Sequence, residues 1–308
     1  MNQFRFSHNA MATVFELIIA GTDKKYAEEA AWELWKEIDT LDNELSRYLP
    51  NSDISKINNL KKGERFILSE DTFNCIRTSM ELYNLTEGAF NIASGSLYNC
   101  WVNADKSIKN PTQSEIEYAS KKSDLKNILL YDDFSLELKE EGMVLDLGAF
   151  GKGYSLDRGY ELLKEWGIKS AFLSSGQSSI RSFTDSEFME GWDISISNPN
   201  NYEQKIFNCN LRNISIGSSG LNKGFHIIDT KRMKPVEEKR GVWVFADSAE
   251  IADALSTAFM ILDFEEIENI IIKMDNIGAI LIKPNQTVTN EDIKIIGDLG
   301  CNLDSQIT

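Results

Sequence analysis

The chain has 308 residues, of which 42% are hydrophobic and 26% are charged, a composition typical of globular proteins. Its 48 acidic residues outnumber its 32 basic residues, and the formal net charge is −16. Because contacts with phosphates dominate the affinity for nucleic acids, this charge argues against binding of DNA or RNA. The length would suit about two domains, but no linker-like segment is present, and we expect one domain over residues 1–308.

The cysteine and histidine content limits the kinds of metal and redox site that the chain can form. The four cysteines are far apart in the chain and form no CxxC motif, which favours a reducing compartment: Cys75, Cys100, Cys209 and Cys301. The two histidines, His8 and His226, exclude a multi-histidine metal site. No apolar run reaches the roughly 18 residues of a membrane span, and the N-terminus shows neither a signal peptide nor a lipobox. We therefore expect no membrane insertion and a cytoplasmic location, unless a longer exported form exists.

Hydrophobic periodicity predicts the elements of the first half of the chain. The helix over 23–46 is the clearest, because Leu34, Ile38, Leu41 and Leu45 follow one another at spacings of 4, 3 and 4. The other predicted elements are a buried strand over 11–20, a loop at Pro50-Asn51-Ser52, a helix over 70–85, a short helix over 112–122 and strands over 127–139 joined at Asp132-Asp133.

The second half alternates more strongly between predicted strands and helices. Strands are predicted over 143–147, 170–175, 192–197, 213–217, 242–246 and 277–283. Helices are predicted over 155–166 with Gly167 as its stop, from a capping-box-like start at Asp247-Ser-Ala-Glu250 to about Leu262, and over 264–274. Many antiparallel-looking strands with interspersed helices indicate an α+β fold.

The densest local motif is Asp146-Leu-Gly-Ala-Phe-Gly-Lys-Gly-Tyr154, between a predicted strand and a predicted helix. Such glycines let backbone N–H groups approach phosphates, and Lys152 could add a point charge. The spacing is GxxGxG and matches neither dinucleotide fingerprint. A tight strand-to-helix turn with a surface lysine explains the same pattern.

Two further motifs carry oxygen and nitrogen ligands. In Ala252-Asp253-Ala-Leu-Ser-Thr257, a helix places Asp253 and Thr257 on one face, where both can offer oxygen to Mg²⁺. The alternative is an exposed aspartate and a threonine packed in the core. His226, in Phe225-His226-Ile-Ile-Asp229, is either a structural histidine or a general base.

Taken together and in order, these motifs resemble those of the ApbE-type flavin transferases, which are FAD:protein FMN transferases. Met11-Ala-Thr13 is similar to the family's MGT, Thr86-Glu-Gly-Ala-Phe-Asn-Ile92 to its TxGxFDI, and the run from Asp146 to Asp157 to its DLGxxxKGYxxD. SSGLNKGFHIID resembles SG…HIIDP, and ADALST matches ADAxxT. The resemblance covers about residues 11–262.

The resemblance implies a single compact ApbE-like (T-fold-like) α+β domain with mixed, largely antiparallel sheets and flanking helices. It also implies Mg²⁺-dependent cleavage of FAD, transfer of the FMN moiety to a Thr or Ser hydroxyl of an acceptor flavoprotein, and release of AMP. The implied metal ligands are the carbonyl of Ala149 and the side chains of Asp253 and Thr257, with His226 as the general base. The implied FAD contacts are Met11, Tyr48, Phe90, Asn91, Ile92, Asp146, Lys152 and Ile228.

Three departures from the family pattern leave other functions open. Asn91 replaces the aspartate of FDI, Ser175-Gly176-Gln177 replaces GG-D/N, and HIIDTKRMKP lacks the proline and glycine of HIIDPxTGxP. One alternative is a metal-dependent FAD pyrophosphatase that yields FMN and AMP. Another is a non-catalytic protein that binds flavin.

Overall fold

The computed structural model describes residues 2–185, 189–221, 224–237, 240–283 and 285–307. The helices of these residues are α1 (Lys24–Leu45), α2 (Asp53–Ile57), α3 (Glu70–Leu85), α4 (Gly95–Trp101), α5 (Gln113–Lys121), α6 (Gly151–Glu165), α7 (Ala249–Ala258) and α8 (Phe264–Ile272). The strands of the first half are β1 (Gln3–Ala10), β2 (Thr13–Ala20), β3 (Arg65–Ile67), β4 (Ile128–Tyr131) and β5 (Ser135–Leu138). Those of the second half are β6 (Ser170–Ser175), β7 (Ser179–Thr184), β8 (Trp192–Asn198), β9 (Asn201–Leu211), β10 (Ser215–Ser219), β11 (Ile228–Asp229), β12 (Lys234–Pro235), β13 (Gly241–Ala246), β14 (Gly278–Ile282), β15 (Ile293–Gly297) and β16 (Leu303–Ser305).

The chain divides into two compact units, and neither unit is continuous in sequence. The first unit comprises Met1–Thr40, Lys152–Gly220 and Lys239–Thr308, and the second comprises Leu41–Gly151 and Leu221–Glu238. The interpretation of residues 1–308 as one domain stays a prediction.

An eight-stranded sheet, in the order β1-β2-β6-β7-β10-β13-β14-β15, forms the centre of the first unit. Alternation along β2 directs its side chains to opposite faces: Leu17 and Ile19 pack against apolar residues of α1 and α6, whereas Ile18 packs against a second cluster. That second cluster includes side chains of the small sheet β16-β9-β8. The large sheet is therefore covered on both faces.

A two-residue turn joins β1 to β2, with Ala10 opposite Thr13. Both turn residues lie in the left-handed region, Met11 at φ 48° and Ala12 at φ 56°. Two positive φ values match the twist of a β-hairpin, but they normally call for glycine or asparagine. The turn therefore places Met11 in a backbone conformation that costs about 1–2 kcal/mol for a residue with a Cβ.

The second unit contains a three-stranded sheet, β3-β5-β4, and a short hairpin of β11 and β12, together with helices α2 to α5. Ile228 of β11 packs against Leu97 of α4 and Ala119 of α5. The indole N–H of Trp101 donates to the carbonyl of Met233 in the hairpin turn at 2.8 Å. These contacts fix the hairpin that follows His226.

The predicted α+β class is confirmed, and every strand pair of the described residues is antiparallel. The predicted helices over 23–46, 70–85, 112–122 and 264–274 are confirmed, as are the strands over 170–175 and 242–246. The helix predicted over 155–166 begins four residues earlier, at Gly151, and Gly167 ends it at φ 70°. The sequence did not predict strands β1, β3, β7, β9, β11, β12, β15 and β16.

The predicted strand over 143–147 is wrong. The side chains of Met143, Leu145 and Leu147 are buried, but none of the described strands pairs with this segment. Instead, the side-chain amide of Asn58 accepts from the N–H of Leu145 at 2.7 Å and donates to its carbonyl at 3.0 Å. The N–H of Asp146 donates to the carbonyl of Ile92 at 2.7 Å.

The capping-box prediction at Asp247-Ser-Ala-Glu250 is wrong by one position. The N-cap of α7 is Ser248, whose hydroxyl accepts from the N–H of Ile251. Because the third helical residue is therefore Ile251, no glutamate can close a reciprocal box. Instead, the carboxylate of Asp157 on α6 accepts hydrogen bonds from the N–H groups of Ala249 and Glu250.

Candidate active site

The carboxylate of Asp253 lies inside the first unit, on α7, with only 4% of the residue exposed. One oxygen accepts from the hydroxyl of Ser179 at 2.7 Å, and the other accepts from the N–H of Gly153 at 2.9 Å. Both oxygens are thus held in place by neighbouring elements, β7 and α6. This excludes the alternative in which Asp253 is an exposed surface aspartate.

Burial raises the pKa of Asp253 to about 6, because removal from water disfavours the charged form. The positive charge of Lys152 and the hydrogen bonds from Ser179 and Gly153 act in the opposite direction, while Asp157 raises the pKa further. At pH 7 the carboxylate is therefore mostly ionised, although it is hardly solvated. Such a group is suited to bind a cation.

Thr257 follows Asp253 by one helical turn and is half-buried. Its hydroxyl lies 3.3 Å from that of Ser219 at the end of β10, and the Ser219 hydroxyl lies 2.8 Å from that of Ser256. The shared helical face of Asp253 and Thr257, predicted from their spacing, is therefore present. The alternative of a threonine packed in the core does not hold, since Thr257 is partly exposed.

The glycines of the Asp146–Tyr154 motif have different local roles. The N–H of Gly148 donates to the carboxylate of Asp146 at 2.8 Å, which closes a tight turn. Gly151 begins α6, and Gly153 lies within its first turn. A Cβ on Gly153 would lie 2.2 Å from the carbonyl oxygen of Ala249, so this glycine allows α6 to contact the start of α7. Its N–H donates to the carboxylate of Asp253 at 2.9 Å.

Lys152 is not the isolated surface lysine of the alternative interpretation. It is half-buried, and its charge acts on Asp253 of the same unit. An ammonium group at that place partly compensates the buried carboxylate.

In the second unit, Arg47 connects two of the predicted flavin contacts. Its guanidinium lies 3.1 Å from the carboxylate of Asp146 and donates to the hydroxyl of Tyr48 at 2.8 Å. Tyr48 is 77% exposed, with the guanidinium 4.8 Å from its ring centre. A nearly bare aromatic ring held by a cation is suited to contact a planar ligand. Ala149, the predicted carbonyl ligand, lies in the turn after Asp146 and is half-buried.

The segment Phe90-Asn91-Ile92 also lies in the second unit, and the side chains of Phe90 and Ile92 are buried. The amide of Asn91 donates to the carbonyl of Ser123 at 2.7 Å and accepts from the N–H of Ala93 at 2.8 Å. A carboxylate could not donate to the Ser123 carbonyl. The asparagine that departs from the family pattern therefore satisfies a backbone acceptor of this unit.

His226 is exposed and directly precedes the buried segment that forms β11. Its Nδ1 lies 2.8 Å from the carbonyl of Gly224. A carbonyl can only accept, so Nδ1 carries the proton and the neutral ring has its lone pair on Nε2. The geometry therefore gives His226 the tautomer that a base acting through Nε2 requires.

The hairpin after His226 forms without the proline and glycine of the family pattern. Met233 stands where the pattern has glycine and retains a positive φ of 56°. Asp229, 3% exposed, accepts from the backbone N–H of Arg232 at 2.8 Å and pairs with its guanidinium at 3.1 Å. The hydroxyl of Thr230 donates to the carbonyl of Gly88 at 2.9 Å. Ile228, the last predicted flavin contact in this segment, is buried.

Met11 is the one predicted flavin contact at the turn between β1 and β2. Its thioether accepts from the hydroxyl of Ser155 on α6 at 3.5 Å. The first unit thus holds Met11, Lys152, Asp253 and Thr257, and the second holds the other predicted site residues.

Several supporting residues were missed by the sequence interpretation. Ser179, Ser219 and Arg47 each contact a predicted site residue directly. Two of them had a local signal: Arg47 lies beside Tyr48, and Ser219 lies in the SSGLNKGFHIID segment. In the described part of the chain, no three His, Cys, Asp or Glu side chains gather as a metal cluster, and no helix is both long and apolar enough to cross a membrane.

Several known proteins are similar to this chain in sequence and in fold. A profile of the ApbE family matches residues 11–281. The FAD:protein FMN transferase of Escherichia coli K12 is 25% identical over 281 residues, which cover 85% of this chain and 79% of that protein. The flavin transferase ApbE from Vibrio cholerae and the ApbE protein from Thermotoga maritima superpose with TM-scores of 0.82 and 0.83. Each is 21% identical, and each match covers 96% of this chain and 97% of the other.

The chain therefore has the α+β fold of these two proteins. The profile match over most of its length shows that the chain belongs to the ApbE family, as the motifs predicted. The predicted enzyme class, a transferase, is confirmed by the names of the relatives.

Proposed function

We propose that the chain transfers the FMN moiety of FAD to a Thr or Ser hydroxyl of an acceptor flavoprotein, in a Mg²⁺-dependent reaction that releases AMP. The observation that carries the proposal is the buried, ionisable Asp253, held at both oxygens one helical turn before Thr257, in a chain of the ApbE family. FAD and the acceptor flavoprotein are the partners that the names of the relatives imply.

The residues of the first unit fit a hard cation such as Mg²⁺. Asp253 and Thr257 offer oxygen only, which is the donor type that Mg²⁺ prefers. Each oxygen of Asp253 accepts one hydrogen bond and keeps further lone-pair capacity, so the carboxylate is oriented without being saturated. A bound Mg²⁺ would supply positive charge where negative charge grows on the diphosphate. In this proposal Ala149 adds its carbonyl oxygen to the set.

The remaining steps depend on the side chains of this chain. Lys152 contributes a further positive charge for the phosphates, as phosphoryl transfer is mainly positioning and electrostatics. Tyr48 and Asp146, held by Arg47, contact the flavin half of FAD. Since the side chains of Phe90 and Ile92 are buried, we assign their contacts with FAD to backbone groups.

His226 accepts the proton of the acceptor hydroxyl through Nε2. The hydroxyl oxygen then forms a bond to the phosphorus of the FMN half, the bond from that phosphorus to the bridging oxygen breaks, and AMP leaves. An imidazole titrates near neutral pH, which suits a general base for this step.

The test measures AMP, FMN and covalent adduct in one reaction of FAD, MgCl₂ and an acceptor flavoprotein. The wild type is expected to form AMP and adduct in equal amounts and to stop in EDTA. Thr257→Val removes one oxygen at constant shape and should lose most of the rate. Thr40→Val makes the same change on the exposed part of α1 and should retain it.

Two other results would replace the proposal. AMP and FMN without adduct for any acceptor would indicate an FAD pyrophosphatase. FAD that stays bound and intact for hours with Mg²⁺ would indicate a non-catalytic flavin-binding protein. This last function is tested because Asn91 stands where the family pattern has aspartate. Its amide forms hydrogen bonds with backbone groups of the second unit.

A further inference from the structure

Asp157 is a carboxylate on α6 that the proposed reaction does not use. It lies in the first unit, is half-buried, and contacts α7 and β7. It accepts from the N–H of Ala249 at 3.0 Å, from the N–H of Glu250 at 2.9 Å and from the hydroxyl of Ser248 at 2.9 Å. The guanidinium of Arg181, on β7, lies 3.5 Å away.

The three hydrogen bonds are all at the start of α7. The first N–H groups of a helix have no partner within the helix, and the helix dipole favours a negative charge there. The residues that normally cap a helix lie just before it in sequence, whereas Asp157 precedes Ser248 by 91 residues. Asp157 therefore joins α6 to α7 and caps α7 at the same time.

Two glycines bring the backbone of α7 against its neighbours. A Cβ on Gly153 would lie 2.2 Å from the carbonyl oxygen of Ala249. A Cβ on Gly217 of β10 would lie 2.2 Å from the carbonyl carbon of Ala252. Between these contacts α7 has little room to slide, and its start is held by charge-assisted hydrogen bonds.

We propose that Asp157 is a positioning residue for the cation site: it fixes α7 so that Asp253 and Thr257 present their oxygens together. Asp253 lies one turn beyond the residues that Asp157 caps, on the same rigid helix. Gly153, whose N–H holds one Asp253 oxygen, lies one turn before Asp157 on α6. This inference rests on the cation site of the proposed function.

The test is the affinity of the apo protein for Mg²⁺ alone, measured by calorimetry without FAD. Asp157→Asn keeps the shape but removes the charge and turns an N–H₂ group toward the helix N–H groups. Loss of a group that directly orients a metal ligand typically weakens metal binding about 10–100-fold; because Asp157 acts on the ligands through the backbone of α7, we expect a loss of about tenfold. Far-UV circular dichroism checks that the variant is folded.

Asp263→Asn is the matched control. Asp263 is the N-cap of α8 in the same unit and accepts from the N–H of Glu266 at 2.9 Å. It should lose stability as a cap without a change in the Kd for Mg²⁺. If Asp157→Asn does not fold, Ser248→Ala decides, because it removes one Asp157 contact and should weaken Mg²⁺ binding at least threefold.

The outcomes separate the two proposals. A wild type that binds Mg²⁺ and a folded Asp157→Asn with the same Kd would overturn the positioning role alone. An unchanged Kd in Ser248→Ala would do the same where Asp157→Asn is unfolded. A wild type that binds no Mg²⁺ would overturn the cation site and, with it, this role.

Discussion

Asp253→Asn is expected to make the metal-free protein more stable while it abolishes the binding of Mg²⁺. The carboxylate is buried, and its pKa in the folded protein is raised from the ordinary 3.8 to about 6. Each pH unit of difference corresponds to about 1.4 kcal/mol, so the ionised group costs the folded state about 3 kcal/mol at pH 8. The amide removes this cost and loses about 1 kcal/mol of hydrogen bonding with Ser179 and Gly153.

The sign of the pH dependence follows from the direction of the pKa. A folded-state pKa above the unfolded value means that the stabilising contribution is complete below about pH 4 and is lost as the pH rises through about 6. The variant should therefore be about 2 kcal/mol more stable than the wild type in EDTA at pH 8. As the pH falls to about 4 the cost of the charge disappears and only the lost hydrogen bonding remains, so the variant should become about 1 kcal/mol less stable than the wild type.

Thermal unfolding of both proteins in EDTA, followed by circular dichroism at several pH values, measures this difference. An advantage of 2 kcal/mol corresponds to a rise in Tm of about 4 °C for a chain of this length. Saturating MgCl₂ should raise the Tm of the wild type and leave that of the variant unchanged. Asp229→Asn is the control of opposite sign: it removes the charge of a buried carboxylate that accepts from the backbone N–H of Arg232 and pairs with its exposed guanidinium, so it should destabilise the protein at pH 8.

A lower Tm for Asp253→Asn in EDTA at pH 8 would refute the reasoning. So would a difference between variant and wild type that does not change with pH. Either result would mean that the carboxylate is already well compensated without a metal ion.

Three further predictions test the local geometry. Ala12→Gly relieves a positive φ at the β1–β2 turn and should add about 0.5–1 kcal/mol in urea unfolding, so a loss of stability there would contradict the strain argument. Asn58→Ala removes both hydrogen bonds to the backbone of Leu145 and should lower the free energy of unfolding by about 2–3 kcal/mol. A loss below about 1 kcal/mol would show that the segment over 143–147 does not need the amide of Asn58. Gly153→Ala should lower the Tm by several degrees because its Cβ meets backbone atoms of α7, whereas Gly151→Ala, with its nearest contact at 3.8 Å, should keep or raise it. Equal Tm values for the two glycine variants would argue against close contact between α6 and α7.

Local patterns predicted the elements whose structure depends on near neighbours. Helix α3 occupies the predicted residues 70–85, because its apolar positions recur with the helical period and Ser69 caps it. The run over 143–147 has the same apolar character as a strand, yet its backbone partners come from the side chain of Asn58 and from loops. Periodicity reports burial but not which group supplies the hydrogen bonds, so this segment was predicted wrongly.

The candidate site also combines residues that could be predicted from the sequence with residues that could not. Asp253 and Thr257 could be predicted to share a face because one helical turn separates them. Their supporting groups could not: Ser179 lies 74 residues before Asp253, and Asp157 lies 91 residues before Ser248. Ala12 and Met233 stand where the family motifs have glycine, and both have a positive φ of 56°.

The central claim, transfer of the FMN moiety, is tested most directly by mass spectrometry of an acceptor flavoprotein incubated with the purified chain, FAD and MgCl₂. We predict that the acceptor gains the mass of one FMN moiety and that fragmentation places it on a Thr or Ser side chain. The adduct should be absent with Asp253→Ala and in EDTA. An acceptor of unchanged mass, while FAD is converted to free FMN and AMP, would contradict the claim.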